Sequence, residues 1–297
     1  MRILLLLLLL LPACRTAKPP TPQPAAVTEA AQSANQARKL SVAANWSGAA
    51  REWETAASEY FLLNDLTNAA IALHNLAQAQ MELRQYDLAM TNLHHAADLN
   101  HRLRRDEEWF RNQIAILQAE ALAGRTNEAR IEQLRKKIDA ITDSSVRGTF
   151  LNEVALFQKS RGDLNAALET FQRASAEFAS AKDRHGSATV LANQAKLFEA
   201  QMNYPAALDA WQAALRDFEA LADPPGITRS LVGMGRTLVA AKQNLPRAEN
   251  LLRQAARNYR TLGQQASRRE AVELLAQALE AQNKFEEAAA VRRELRP

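Results

Sequence analysis

One cysteine in 297 residues, Cys14, leaves no partner for an internal disulfide and no set of thiolates to cage a metal. The nine glycines are scattered. None of them builds a phosphate-cradling loop, and Gly233-Met234-Gly235 falls inside a segment that reads as helix. No Gly-x-Ser-x-Gly elbow is present, so the usual nucleophile turn of serine hydrolases is excluded. Runs in which Val, Ile or Thr alternate with polar residues are missing, which removes the basis for a sheet. Only one unbroken apolar run stands out, Ile3 to Leu11, and it is too short to span a bilayer. Charge of one sign is not in great excess either, with a net charge of +4. What the chain does have is Ala, Leu, Gln, Glu and Arg in abundance, residues that lose little side-chain freedom in a helix. The fold class is all-α.

The amino terminus reads as an export signal. Arg2 supplies a basic start, Ile3 to Leu11 an apolar stretch, and Pro12-Ala13-Cys14 a small-residue cleavage site. Leu11-Pro12-Ala13-Cys14 resembles the lipobox of bacterial lipoproteins, with Pro12 as its departure from the usual pattern. The resemblance implies a signal peptide over 1–13 and a lipid on Cys14. Because Arg15 follows, it also implies an outer-membrane destination facing the periplasm. A single acyl chain holds a protein only marginally, whereas several hold it firmly, at about 0.8 kcal/mol per buried methylene. Residues 14–28 then form a proline-rich tether: four prolines between Arg15 and Ala26 favour extended polyproline II over helix.

From residue 29 to 297 the chain repeats itself. An alanine recurs at Ala49, Ala89, Ala129, Ala167, Ala207, Ala248 and Ala288, at spacings of 38 to 41 residues. Three residues before it stands a bulky side chain in most units: Trp46, Tyr86, Leu164, Tyr204, Leu245, Phe285. Four after it stands another, as at Trp53, Leu93, Phe171, Trp211 and Leu252, with a second small residue three further on at Ala56, Ala96, Ala174, Ala214 and Ala255. Spacings of three and four put all of these on one helix face. Upstream, a first helix offers its own small residue at Ala77, Ala155, Ala195 and Ala276.

These residues resemble the tetratricopeptide repeat, with its small residue in helix A, an aromatic opening helix B, and then Ala, an aromatic and Ala. The resemblance implies a right-handed superhelical solenoid of about seven helix-turn-helix units, each incomplete alone. The period near 40, against the family's 34, predicts longer helices or loops. Unit three, with Leu117 where a small residue belongs, and unit six, with one inserted residue before Leu245, predict local irregularity. Unit seven carries Arg292 at the bulky position.

In solenoids of this kind, helix A residues facing away from helix B line the concave wall. By register these are His74, Gln78, Asn152, Lys159, Lys196, Arg229, Arg236, Glu273 and Gln277, a polar mixture suited to an extended segment or helix of a protein partner. The reading is a lipid-anchored periplasmic scaffold or adaptor for envelope assembly, without enzymatic activity, cofactor or metal; the alternative is a groove for a glycan or small ligand. Asp98 stands between His94 and His101 on one helix face, but without the ligand pattern of a specific site this is a solvated surface. His74 and His185 are expected as polar surface residues. Arg247, Arg253, Arg257, Arg260, Arg268 and Arg269 make the carboxyl-terminal third basic, yet Glu249, Glu270 and Glu273 are interspersed, so a solvated face is favoured and nucleic acid is not an expected partner. Ala289, Val291 and Leu295 offer an apolar edge for self-association at the last helix.

Overall fold

A computed structural model describes residues 25–125 and 128–294. Cys14, the signal peptide and nearly all of the tether lie outside this range, as does Leu295. Fourteen α-helices and one short 3-10 turn account for the described residues, with no strand among them. They pair along the chain as α1 (Ala25–Val42) with α2 (Trp46–Leu62), α3 (Leu66–Glu82) with α4 (Tyr86–Arg102), and α5 (Asp106–Leu122) with α6 (Glu128–Arg135). Four further pairs follow: α7 (Ser144–Ser160) with α8 (Leu164–Ser180), α9 (Arg184–Ala200) with α10 (Tyr204–Ala220), α11 (Pro224–Ala241) with α12 (Leu245–Thr261), and α13 (Gln265–Glu280) with α14 (Phe285–Arg293). The bulky residue that opens each unit's motif is the first residue of helix B in six of the seven units. The array begins at Ala25, so the last residues assigned to the tether are helical; after Pro24 no proline or glycine occurs until Gly48.

The forty-residue period has a simple origin. Most helices are 17 residues long, about 25 Å at 1.5 Å per residue, and most connections are three residues. These connections share one geometry. After α2, the Asn64 N–H bonds the Phe61 carbonyl and the Asp65 N–H bonds the Tyr60 carbonyl, a Schellman closure with Asn64 left-handed at φ 54. Asp65 then caps α3 by accepting from the Asn68 N–H at 3.1 Å. Asn45, Asp143, Asp183, Asn203, Asp223 and Asn244 cap their helices with side chains in the same way. Outside unit three and the nine-residue last helix α14, helix length and turn therefore repeat almost unchanged.

Packing follows the motif. Ala49, Ala89, Ala167, Ala207, Ala248 and Ala288 are buried, as are Trp53, Leu93, Phe171, Trp211 and Leu252, and the alanines on the first helices. The core is a string of separate clusters joining each unit to the next, as when Phe110 of α5 meets the edge of Phe150 of α7 at 5.5 Å. Each fully buried large side chain contributes about 1.5–3 kcal/mol. Such neighbour-only burial is what makes a solenoid of the chain rather than a single-centred globule.

Unit three breaks the pattern as its sequence predicts, and Ala129 corrects the repeat. Ala129 is exposed; α6 is only eight residues long, and Ile131, Leu134 and Ile141 fill the space instead. The 3-10 turn Ile138–Ala140 then leads to α7. The insertion in unit six is absorbed more gently. α11 has 18 residues, and both Lys242 and Asn244 are left-handed in the turn to α12. At the far end Val291 is buried against Val272 and Leu275 rather than left as an edge, while Ala289 is exposed.

Candidate partner-binding groove

Consecutive A helices touch each other directly, α5 with α7, α7 with α9, α9 with α11 and α11 with α13, whereas the B helices meet chiefly their own A neighbours. Helices on the inside of a curve lie closer together than those outside. The A helices therefore form the concave wall.

That wall is joined by polar side chains reaching from unit to unit. Asn100 of α4 donates to Asn112 of α5 at 2.8 Å, and Asn112 donates to Nδ1 of His74 on α3 at 2.9 Å. Gln118 of α5 donates to Glu153 of α7 at 3.0 Å. Asn193 of α9 donates to Asn152 of α7 at 3.0 Å, both of them buried. Glu199 of α9 accepts from Arg236 of α11 at 2.9 Å and from the Trp211 indole at 2.9 Å, and receives the Thr237 hydroxyl as well. Arg236 reaches on toward Glu270 of α13 at 3.8 Å. Buried polar groups satisfied in this manner resist slippage, because a shifted register would leave them unpaired at about 1–3 kcal/mol each.

Of the residues expected on this wall, the structure draws several into the chain of bonds. His74, read as a surface histidine, is half-buried on α3, with Gln78 one turn on, 3.5 Å from its Nε2. Burial, reinforced by the Arg111 cation, lowers its pKa from 6.5 to about 4, so the imidazole is neutral at pH 7. Asn152 is buried, Lys159, Lys196 and Arg236 are half-buried, and Arg229 is exposed. Lys196 lies near Arg229, Arg236 and Lys159; burial first, and those cations next, lower its pKa to about 8 against the pull of Glu199. Gln277 is exposed on α13, and Glu273 is taken up by Arg292 of α14 at 2.6 Å, which also holds Glu280. His185 is exposed beside Asp223 at 3.5 Å and against the Phe218 ring. His94, Asp98 and His101 are exposed on α4, and His95 stacks on Phe61. Among the described residues no three His, Cys, Asp or Glu side chains are grouped to hold a metal.

Sequence reasoning missed Asn112, Gln118, Glu153, Asn193 and Glu199. A signal for the asparagines was there: Asn112, Asn152 and Asn193 recur at the unit period on successive A helices. Glu153 had none, and burial now raises its pKa against the hydrogen bonds from Gln118 and Asn152. The array also curves far enough that the turn Leu262 to Ser267 comes opposite the N-terminal units. Between them lies a cavity of about 790 Å³, lined in part by Gln78, Gln118, Glu153 and Gln264.

Compared with protein-family models and with curated protein sequences, the chain matches none. Solved structures do match. A Rap protein complexed with Competence and Sporulation Factor superposes with a TM-score of 0.70 at 14% identity, over 92% of this chain and 75% of that one. The apo form of the quorum sensor NprR from B. thuringiensis gives 0.67 at 10% identity, over 91% and 76%. A signal transduction ATPase with numerous domains from Pyrococcus horikoshii, which carries a tetratricopeptide repeat sensor, gives 0.60 at 15% identity, over 91% of this chain and 42% of that one. At such identities the likeness is one of fold. Repeat motif, helix pairing and these neighbours agree: the chain has the tetratricopeptide-type solenoid fold.

Proposed function

We propose that this protein is a lipid-anchored scaffold of the bacterial cell envelope that docks a protein partner in its concave groove and carries out no chemistry of its own. The observation that supports the docking role is the inner wall itself. It is continuous across four A helices, α5, α7, α9 and α11, and presents amides and charges rather than a closed apolar pocket. An extended segment of another protein, with its own unpaired backbone groups, matches such a wall better than a compact apolar ligand does. One neighbour in fold was solved in complex with Competence and Sporulation Factor and another is a quorum sensor, which agrees with a groove used for recognition.

The envelope setting is supported by the signal-like start, Cys14 and the prolines that follow. The lipid holds the protein to the outer membrane on the periplasmic side, and the tether sets the height of the solenoid. No described helix is long and apolar enough to cross a membrane. Replacing Cys14 with Ser should release the protein from membranes, and retention of the variant there would refute the anchor. In-cell crosslinking followed by purification from solubilised membranes should recover one dominant protein partner. If crosslinking recovers none while cell-wall fragments raise the melting temperature of the isolated body, the groove serves a glycan and the scaffold reading fails.

A further inference from the structure

Arginines crowd α12 and the start of α13, and the fold sorts them. Arg253, Arg257 and Arg260 of α12 and Arg268 of α13 line one cavity of about 190 Å³, whereas Arg247 and Arg269 lie outside its lining. We infer that this cavity is a binding site for a phosphate ester, with the phosphoryl group among the arginines and the carbon part on the apolar lining.

The cavity lies on the side of the array turned away from the concave wall. The B helices α12 and α14 flank it, and α13 lies between them. Spacings of four and three put Arg268, Val272 and Leu275 on one face of α13, nearly opposite Gln277, the groove-register residue of that helix. α14 has nine residues against the 17 of α12, and Arg257 and Arg260, on the later turns of α12, are exposed.

Arg268 carries the inference. Its side chain is only 16% exposed, yet among the described residues its guanidinium makes no hydrogen bond. Its one ion-pair contact there is the exposed Glu294, at 4.0 Å. A guanidinium holds N–H donors in a rigid fork, and a charge withdrawn this far from water is costly unless it is paired. Arg257 and Arg260 have no ion pair among the described residues, while Arg253 is already held by Glu249 at 3.0 Å and by Glu287 at 3.1 Å. Against the other three guanidiniums, the lining itself supplies a single carboxylate, that of Glu294.

A phosphate ester answers this set better than a carboxylate does. It brings a charge of about −1.5 to −2 at pH 7 and several acceptor oxygens, so forks on both α12 and α13 can be engaged at once. The two oxygens of a carboxylate are filled by one fork. Ala256, Val272, Leu275 and Val291 make up the apolar part of the lining, which rewards a carbon substituent and does nothing for inorganic phosphate.

The test is calorimetry on the purified Cys14→Ser protein, which takes attachment through Cys14 out of the measurement. Phenyl phosphate is the probe, with inorganic phosphate and succinate as comparisons. Phenyl phosphate should bind roughly tenfold more tightly than either. Arg268→Met should weaken it by roughly tenfold while the melting temperature of the free protein holds or rises, since a poorly hydrated charge is removed. Arg257→Gln, at an exposed position where folding is not at issue, should also weaken binding. Arg269→Gln removes the same charge outside the cavity and should leave binding unchanged. Flotation with phosphatidic acid vesicles separates two sources of the ester. Flotation that Arg268→Met abolishes assigns the site to a lipid headgroup, and phenyl phosphate binding without flotation assigns it to a soluble ester. No binding of phenyl phosphate at millimolar concentration, succinate binding as tightly, or equal losses from Arg268→Met and Arg269→Gln overturns the site. A lower melting temperature in Arg268→Met overturns it too, because Glu294 would then already satisfy the guanidinium. The cavity shares no residue with the groove-register set, so its failure leaves the scaffold reading standing.

Discussion

Replacing His74 with Gln should flatten the acid side of the protein's stability curve. In the folded chain the imidazole takes a hydrogen bond from Asn112 on Nδ1, which fixes the neutral form with its proton on Nε2. Burial, aided by Arg111, holds the pKa near 4 instead of 6.5. A group whose folded pKa is depressed contributes stability above its unfolded value and loses it as pH falls toward the folded one, so the window runs from about 6.5 down to about 4. Across that interval the linkage amounts to about 3 kcal/mol. Carboxylates held low in the folded state, among them Glu177 and Glu107, also cost stability on acidification, with Glu153 acting oppositely. The difference between wild type and variant isolates the histidine from that background. At neutral pH the variant should be weaker by about 1 kcal/mol for the altered hydrogen bond. That deficit should close, and then reverse, as pH approaches 4. Because an array of repeats need not unfold as one unit, the assay is amide exchange of α3 and α5 together with urea unfolding at stepped pH. A difference that stays constant from about pH 7.5 to 4, or a His74 ring signal titrating near 6.5, would refute the reasoning.

Three further outcomes follow from packing and backbone geometry. Gly233→Ala would place a Cβ 2.2 Å from the fully buried Trp211 ring; despite about 1 kcal/mol of improved helix propensity, overpacking should leave the variant less stable by about 1–2 kcal/mol, and an unchanged melting temperature would contradict the contact. Met202 sits at φ 56 with its side chain in solvent, so Met202→Gly should raise stability by about 0.5–1 kcal/mol in urea titration, and a loss would show that the left-handed turn carries no strain. Ala167→Leu should cost about 1–3 kcal/mol where Ala129→Leu costs almost nothing, since one alanine is enclosed between helices and the other is exposed; equal effects would restore Ala129 to the repeat.

Much of the architecture was legible in the amino acids because a solenoid is locally determined. Trp46, Tyr86 and Tyr204 each open a helix, and Ala89, Leu93 and Ala96 are all fully buried, since every unit buries its face only against its neighbours. The capping of the three-residue turns went unread, although Asp65, Asp183 and Asn203 stand at the set place that it needs. Where the pattern faltered, at Leu117 of unit three, the structure falters as well, through a short α6 and a 3-10 turn, although Ala129 itself fitted the spacing and turned out exposed.

The groove was another matter. That His74 is half-buried and neutral, that Glu199 ties three helices together, and that Lys196 stands among cations all depend on which A helix lies beside which and how tightly the wall curves. A helix period tells which face a side chain occupies. It does not tell what stands opposite, because that face meets residues about forty positions away, and only their packing sets the dielectric and the charges each group feels.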